Sequence, residues 1–346
     1  MNEIDLAIDS IDRDAFVLQE DGTPLLQSTA TSAIKASLQL LDLEEGQRIM
    51  EIGTGSGYST ALLSKLVGES GHVVSLDIDP NVVDRAKKRL SEHQITNVTV
   101  LTRDGRGGYK EKGQFDRIVA WTTADDLPLS WIQQLKPNGV IVAPFMLLPL
   151  ANTSAIARLR KVGGDIIGDL LIKGSYIHMN ETPNYESYSY ELRADIVEKN
   201  GSEINAWGSA NWMKHADVKT KQHWLQMLKK QSLSRRLLKG GERYDDFRAF
   251  LLAKQPREFT TAFLEKTSLF IGASTPSSFA LLSIDGFLAQ KSDQSIHFLL
   301  GWLEEWRSLG TPGFNQLKPV VKKDDTNWVV RAELDFEKIK NGRDST

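Results

Sequence analysis

The stretch IMEIGTGSGYST, residues 49–60, is an apolar run closed by an acid, followed by three glycines alternating with small residues and then a helical pattern. A glycine-rich turn from a buried strand into a helix leaves few folds open. It fits the first strand–helix unit of a parallel sheet, where glycines permit positive φ and let a ligand approach the backbone with no Cβ in the way. The residues around it repeat the alternation. QRIMEIG reads as a strand, Tyr58 to Val67 as a helix, HVVSLDID as a second strand, and about Asn81 to His93 as a second helix. VTVLTRDG and FDRIVAWT are third and fourth strands, LPLSWIQQL a short helix and GVIVAPF a fifth strand. This spacing predicts an α/β, Rossmann-like parallel sheet with helices on both faces. Residues 154–179 alternate around Gly163-Gly164 and predict an antiparallel edge to the same sheet. A helix is also predicted over 33–43, ahead of the first strand.

Near residue 180 the pattern changes, dividing the chain into an expected first domain, 1–180, and a C-terminal α+β domain, 181–346. Helices are predicted over 218–241, 242–254 and 293–308. Between Lys214 and Arg257 there are twelve Lys or Arg and four Asp or Glu. That run is either a docking face for an acidic peptide or the solvated side of amphipathic helices with Trp224, Met227 and Leu228 turned inward.

Composition narrows the classes. With 40% hydrophobic and 25% charged residues, the chain reads as a soluble globular protein. It has no cysteine, which excludes disulfides, thiolate catalysis and cysteine-ligated metals. The six histidines show no ligand spacing, so no metal is expected. The start, MNEIDLAIDSIDRD, lacks the basic and apolar segments of a signal peptide, and no run approaches a membrane span. The expectation is a cytoplasmic protein with no membrane partner. A net charge of −3 argues neither for nor against nucleic acid.

The loop spacing is G-x-G-x-G rather than the G-x-G-x-x-G of dinucleotide folds. Asp77, near the end of strand two, is suited to accept hydrogen bonds from ribose hydroxyls. Asp104-Gly105, after strand three, could hold an adenine amino group. Glycine, acid and acid after successive strands point to S-adenosyl-L-methionine. The expected cofactor-binding set is Gly53, Thr54, Gly55, Ser56, Gly57, Tyr58, Asp77, Ile78, Asp104 and Gly105, together with Glu51 and Trp121, and the family resemblance given below adds Gln27. Glu51 would orient the loop amides or meet the ligand's ammonium group. Trp121 is open between core packing and lining the substrate mouth.

At this point the sequence resembles the protein L-isoaspartate O-methyltransferase family over about residues 20–180. The carrying segments are LLQSTATSAIKASLQLLDLEEGQRIMEIGTGSGYSTALLSKLVG, SLDIDP, LTRDGRGGY and FDRIVAWTTADDLP, whose Asp-Leu-Pro ending is the most specific. The resemblance implies a carboxyl O-methyltransferase in which Gln27 to Ser32 close over the transferred methyl group. The repair enzymes carry Gln-Thr-Ile-Ser and, after one residue, Pro. Here Ala30 stands where the serine hydroxyl should be, and Ser32 replaces the proline. Either Ser28, Thr29 or Thr31, the catalytic candidates, supplies a hydroxyl, or the substrate is not isoaspartate.

The chain also continues for about 160 residues beyond the point where the repair enzymes end. LLGWLEEWRSLGTPGFNQLKPVVKKDDTNWVVRAEL looks like the ending of longer relatives that accompany ribosomally made peptides, lanthipeptide clusters among them. That likeness implies a peptide substrate methylated on an Asp side chain or its C-terminus, selected by the second domain. The basic helices and the stretch around Trp302 and Trp306 are the expected contact surfaces. Isoaspartate repair of damaged proteins is the alternative. A nucleic-acid substrate is not expected, because no Asn/Asp-Pro-Pro-aromatic motif follows strand four. Oligomeric state is left open.

Such chemistry needs few special residues. A carboxylate, with a pKa of about 4, is already ionised near neutrality. Direct displacement from a sulfonium needs no general base. Alignment and exclusion of water suffice, and positioning alone can supply roughly 7–11 kcal/mol. Thr31 or Ser32 has a second expected role, as N-cap of the helix beginning near Ala33.

Overall fold

The computed structural model describes residues 2–25, 28–183, 193–201, 203–265, 268–324 and 327–343. Three helices, α1 (Glu3–Ser10), α2 (Arg13–Val17) and α3 (Thr31–Leu41), precede the first sheet. Its elements are β1 (Arg48–Ile52), α4 (Tyr58–Val67), β2 (His72–Asp77), α5 (Pro80–Glu92), β3 (Val98–Thr102), β4 (Phe115–Ala120), α6 (Leu129–Gln134), β5 (Leu135–Met146), β6 (Ser154–Val162) and β7 (Asp165–Ile172). The strand order is β3-β2-β1-β4-β5-β6-β7. Strands β1 to β5 run parallel, while β6 and β7 add the antiparallel edge that the Gly163-Gly164 pattern predicts.

Burial on both faces explains the continuous apolar runs of the central strands. Ile49, Met50, Val73, Val74 and Leu76 are all fully buried. Helix α5 starts where local chemistry dictates: Asp79 accepts a hydrogen bond from the Asn81 amide, and Pro80 occupies the first turn. The chain leaves β1 in one direction and β4 in the other, so the order reverses between them. That switch point is where an open α/β sheet leaves a crevice.

The remaining elements are β8 (Ile196–Asn200), β9 (Glu203–Ala210), α7 (Val218–Lys229), α8 (Tyr244–Lys254), β10 (Phe259–Leu264), β11 (Ser268–Thr275), β12 (Ser278–Ser283), β13 (Leu288–Lys291), α9 (Ile296–Ser308), β14 (Leu317–Asp324), β15 (Asn327–Leu334) and α10 (Phe336–Arg343). Strands β8 to β13 form an antiparallel sheet in the order β13-β12-β11-β10-β9-β8. Helix α7 turns Trp224, Leu225 and Leu228 onto it, with the Trp224 ring edge-on to Phe279 at 5.8 Å.

Several expectations are corrected. The helix predicted over 218–241 stops at Lys229, and the predicted helix near Ala33 begins at Thr31. Its N-cap is Ala30, with no side-chain hydrogen bond, so neither Thr31 nor Ser32 caps it. Trp302 and Trp306 are not a contact surface. Both are buried, and the Trp306 indole donates to the Pro312 carbonyl at 3.0 Å. They belong to an apolar cluster that also holds Ile52 and Phe145 of the first sheet, Phe247 and Phe250 of α8, and Val330 of β15. No helix among the described residues is long and apolar enough to cross a membrane.

The β14–β15 hairpin returns to the first sheet. The Leu127 amide donates to the Trp328 carbonyl at 2.6 Å, and β14 lies so close to β7 that a Cβ at Gly168 would stand 2.2 Å from the Pro319 carbonyl oxygen. Gly168→Ala must therefore push β14 away, and overpacking of this kind costs about 1–3 kcal/mol. The expected result is a lowered denaturant midpoint with an unchanged slope. An unaltered midpoint would show that the hairpin is not docked there.

Candidate active site

At the switch point, the three loop glycines adopt φ of +90° at Gly53, +51° at Gly55 and +84° at Gly57. L-residues with a side chain rarely adopt that region. The loop is clasped by β2. The Gly53 amide donates to the Leu76 carbonyl at 2.8 Å, and the Gly55 amide donates to Asp77 Oδ2 at 3.0 Å. Asp77 Oδ1 accepts from the Asp79 amide at 3.1 Å. Burial pushes the Asp77 carboxyl above its ordinary pKa, against the opposing pull of these amides.

A cleft of about 450 Å³ opens beside this loop. It brings together most of the residues expected from the sequence: Gly53, Thr54, Gly55, Ser56, Tyr58, Asp77, Ile78, Asp104, Gly105, Trp121, Ser28 and Thr29 all line it. Asp104 is already engaged, because both its oxygens accept from the Arg106 guanidinium. Burial raises its pKa, but the Arg106 guanidinium and amide outweigh that and hold it below the usual range. Gly105 is demanded by packing, since a Cβ there would stand 2.3 Å from Ile52 Cγ2.

Three expected residues do not line the cleft. Gly57 begins α4 in the left-handed region, where a Cβ would meet Ala86 Cβ at 3.3 Å; its role is the packing of α4 against α5. Thr31 opens α3. Glu51 is fully buried and touches neither loop amides nor cleft. Its oxygens accept from Ser59 and Thr60 hydroxyls at 2.5 Å each, from Ser75 at 2.6 Å and from the Trp121 indole at 2.8 Å. Burial pushes its carboxyl up, opposed by these four donors. Glu51 therefore ties α4, β2 and the residue after β4 together beneath the loop. Gln27 lies outside the described residues.

A further wall is one that residue patterns did not single out. Residues 175–180 run along the chain after β4. The Thr123 amide donates to the Ile177 carbonyl at 2.7 Å, the Met179 amide to the Thr123 carbonyl at 2.9 Å, and the Thr123 hydroxyl to the Tyr176 carbonyl at 2.7 Å. Tyr176 packs edge-on against Trp121, with ring centres 6.0 Å apart. His178, one of the six histidines without ligand spacing, lines the cleft at 5% exposure. Burial, and then the charge of Arg193, lowers its pKa to about 4. Among the described residues, four side-chain atoms lining the cleft are buried without a hydrogen-bond partner: Tyr58 Oη, Thr122 Oγ1, Ser175 Oγ and His178 Nδ1.

Residues 2–183 match the family described as protein-L-isoaspartate(D-aspartate) O-methyltransferase. A Fervidobacterium nodosum protein-L-isoaspartate O-methyltransferase is 34% identical over 186 residues, covering 50% of this chain and 91% of that protein. A Methanococcus maripaludis protein of the same name is 38% identical over 137 residues, 40% of this chain and 63% of that one, so the match spans just under two thirds of that relative. A solved protein-L-isoaspartate O-methyltransferase structure aligns over 95% of this chain and 94% of its own at 19% identity, with a TM-score of 0.49. With the family's match covering more than half of its 346 residues, this chain belongs to the protein-L-isoaspartate(D-aspartate) O-methyltransferase family.

Proposed function

We propose that this protein is an S-adenosyl-L-methionine-dependent O-methyltransferase that esterifies a peptide carboxylate, that of an isoaspartyl residue. The observation that carries the cofactor is the cleft at the switch point, where the Gly53–Ser56 backbone and the Asp77 carboxylate face one space. The residues present fit the group. Asp77 would accept from the ribose hydroxyls, Ile78 would lie against the adenine, and the glycine loop would meet the methionine moiety with no Cβ intervening. Trp121 and Tyr58 would complete the walls. When bound, the cofactor supplies an electrophilic methyl group. This chain's part is to hold an ionised carboxylate in line and to keep water out with apolar walls such as Ile34 and Met179. Residues 1–180 would form the cofactor domain, with the cleft lining running on to Thr182 and Pro183, and residues 181–346 would select the peptide.

The family and the names of its relatives support isoaspartate as substrate. One observation favours a second reading, a dedicated ribosomally made peptide of the lanthipeptide type: Ala30 offers no hydroxyl at the start of α3, and the Ser28 hydroxyl is already donated to the Leu25 carbonyl at 2.7 Å. The test is to offer paired peptides that differ only in an isoaspartyl or ordinary aspartyl linkage. The isoaspartyl peptide is expected to gain one methyl mass, lost again in mild base, while its partner stays unmodified. A base-stable methyl group would overturn the ester. Methylation confined to a peptide encoded beside this chain would favour the second reading.

A further inference from the structure

We infer that the acceptor carboxylate is held by the wall that Thr122 and residues 175–178 form, through the Thr122 and Ser175 hydroxyls and the His178 imidazole acting together. This rests on the proposed carboxyl methylation and adds to it the residues that grip the acceptor. Thr122 Oγ1, Ser175 Oγ and His178 Nδ1 are buried, line the cleft and have no hydrogen-bond partner among the described residues. A buried polar atom left unpaired is costly, and such atoms gathered at one cleft wall suit a polar ligand. Their place is fixed rather than incidental. Thr123 stitches residues 176–179 to the chain after β4 through both its backbone groups and its hydroxyl. Thr122 also stands against the cofactor loop, its Cγ2 3.3 Å from the position a Cβ on Gly53 would take. The start of α3 offers fewer donors, since only Thr29 brings an uncommitted hydroxyl into the cleft, with an alanine at 30, a Ser28 hydroxyl already donated and Thr31 outside it.

The chemistry of the donors is suited to the reaction. Among the described residues lining the cleft there is no lysine or arginine. The carboxylate loses its charge as the new O–CH3 bond forms and the S–CH3 bond breaks, with the electron pair staying on sulfur. A cation would stabilise the ionised ground state more than the transition state and so slow the transfer. Neutral hydroxyls and an uncharged imidazole orient the carboxylate without that penalty. The depressed pKa of His178 keeps its ring uncharged at neutral pH.

The experiment compares Thr122→Val, Ser175→Ala and His178→Leu with Thr122→Ser and His178→Asn, which keep a hydrogen-bonding group. Three quantities are read on full-length protein: kcat/KM with an isoaspartyl peptide, Kd for S-adenosyl-L-homocysteine by calorimetry, and the melting midpoint. The expected result is a tenfold or greater loss of kcat/KM in each apolar variant, a cofactor Kd within twofold of the parent, and partial recovery in the two conservative variants. Unchanged kcat/KM in all three apolar variants overturns the subsite and leaves the methyltransferase reading standing. A cofactor Kd that weakens as much as kcat/KM also overturns it, assigning these atoms to the cofactor. A parent protein that binds S-adenosyl-L-homocysteine yet methylates no peptide carboxylate defeats the functional reading, and the subsite with it.

Discussion

Glu51→Ala is expected to destabilise the protein by about 3 kcal/mol or more. The side chain is fully buried and accepts hydrogen bonds from Ser59, Thr60, Ser75 and Trp121. A buried donor left without an acceptor costs about 1–3 kcal/mol. Some of the loss is recovered, because the Ser75 hydroxyl already lies 2.6 Å from that of Thr54 and can turn to it. Removing a carboxylate whose burial raises its pKa also returns part of the desolvation penalty. The Trp121 indole has no such second partner in the structure. Against a total stability of about 5–15 kcal/mol, the net loss is large. Glu51→Gln, which keeps one acceptor oxygen, should fall between the two. Thermal melts of the three proteins check the order; an alanine variant melting with the parent would show that this network is not what seats the loop.

Asp77→Ala should weaken S-adenosyl-L-methionine binding at least tenfold while the sheet survives. Two losses combine: the clasp on the Gly55 amide and, on the proposed function, the acceptor for the ribose. A hydrogen bond to a charged acceptor is worth about 1.5–3 kcal/mol, so loss of the ribose contact by itself reaches tenfold, and a loosened loop adds to it. Asp77→Asn keeps an oxygen for one of the two and should lie between. Acidification should reproduce the effect in the parent protein. Because burial holds the Asp77 pKa above the ordinary value, the carboxylate is lost at a higher pH than an exposed aspartate would be, and affinity falls as pH drops through that raised pKa. Calorimetry on the variants and across pH tests both statements. An unaltered Kd in the alanine variant would take Asp77 out of the site.

The first sheet was legible because its signals are local. Each strand is a short apolar run, each helix follows at regular spacing, and the glycine loop marks the switch point by itself. What escaped reading depends on residues far apart in the chain. Nothing near Glu51 indicates that its partners lie at 59, 60, 75 and 121, so the sequence points to loop amides or a ligand ammonium where the fold builds a buried tether. His178 became a cleft residue only because Thr123, some fifty positions earlier, holds its segment in place. Trp302 and Trp306 are a different case. They lie four residues apart on α9, on the same face as Leu299 and Leu303, and that helical spacing already pointed inward.

The returning β14–β15 hairpin has a consequence for how the chain is made. Synthesis delivers the glycine loop and all seven strands of the first sheet by residue 172, yet the segment that packs against β7 and bonds to Leu127 spans 317–334. Domains commonly fold from the N-terminus while the ribosome still extends the chain at about 5–20 residues per second. Here that early sheet must wait, for about 7–30 s at those rates, with Leu159 and Leu171 lacking the Leu317 and Val330 they share a core with. A nascent chain with an apolar sheet face uncovered for that interval is a natural client for chaperones that shield such surfaces, and slow codons between the two segments would lengthen the exposure.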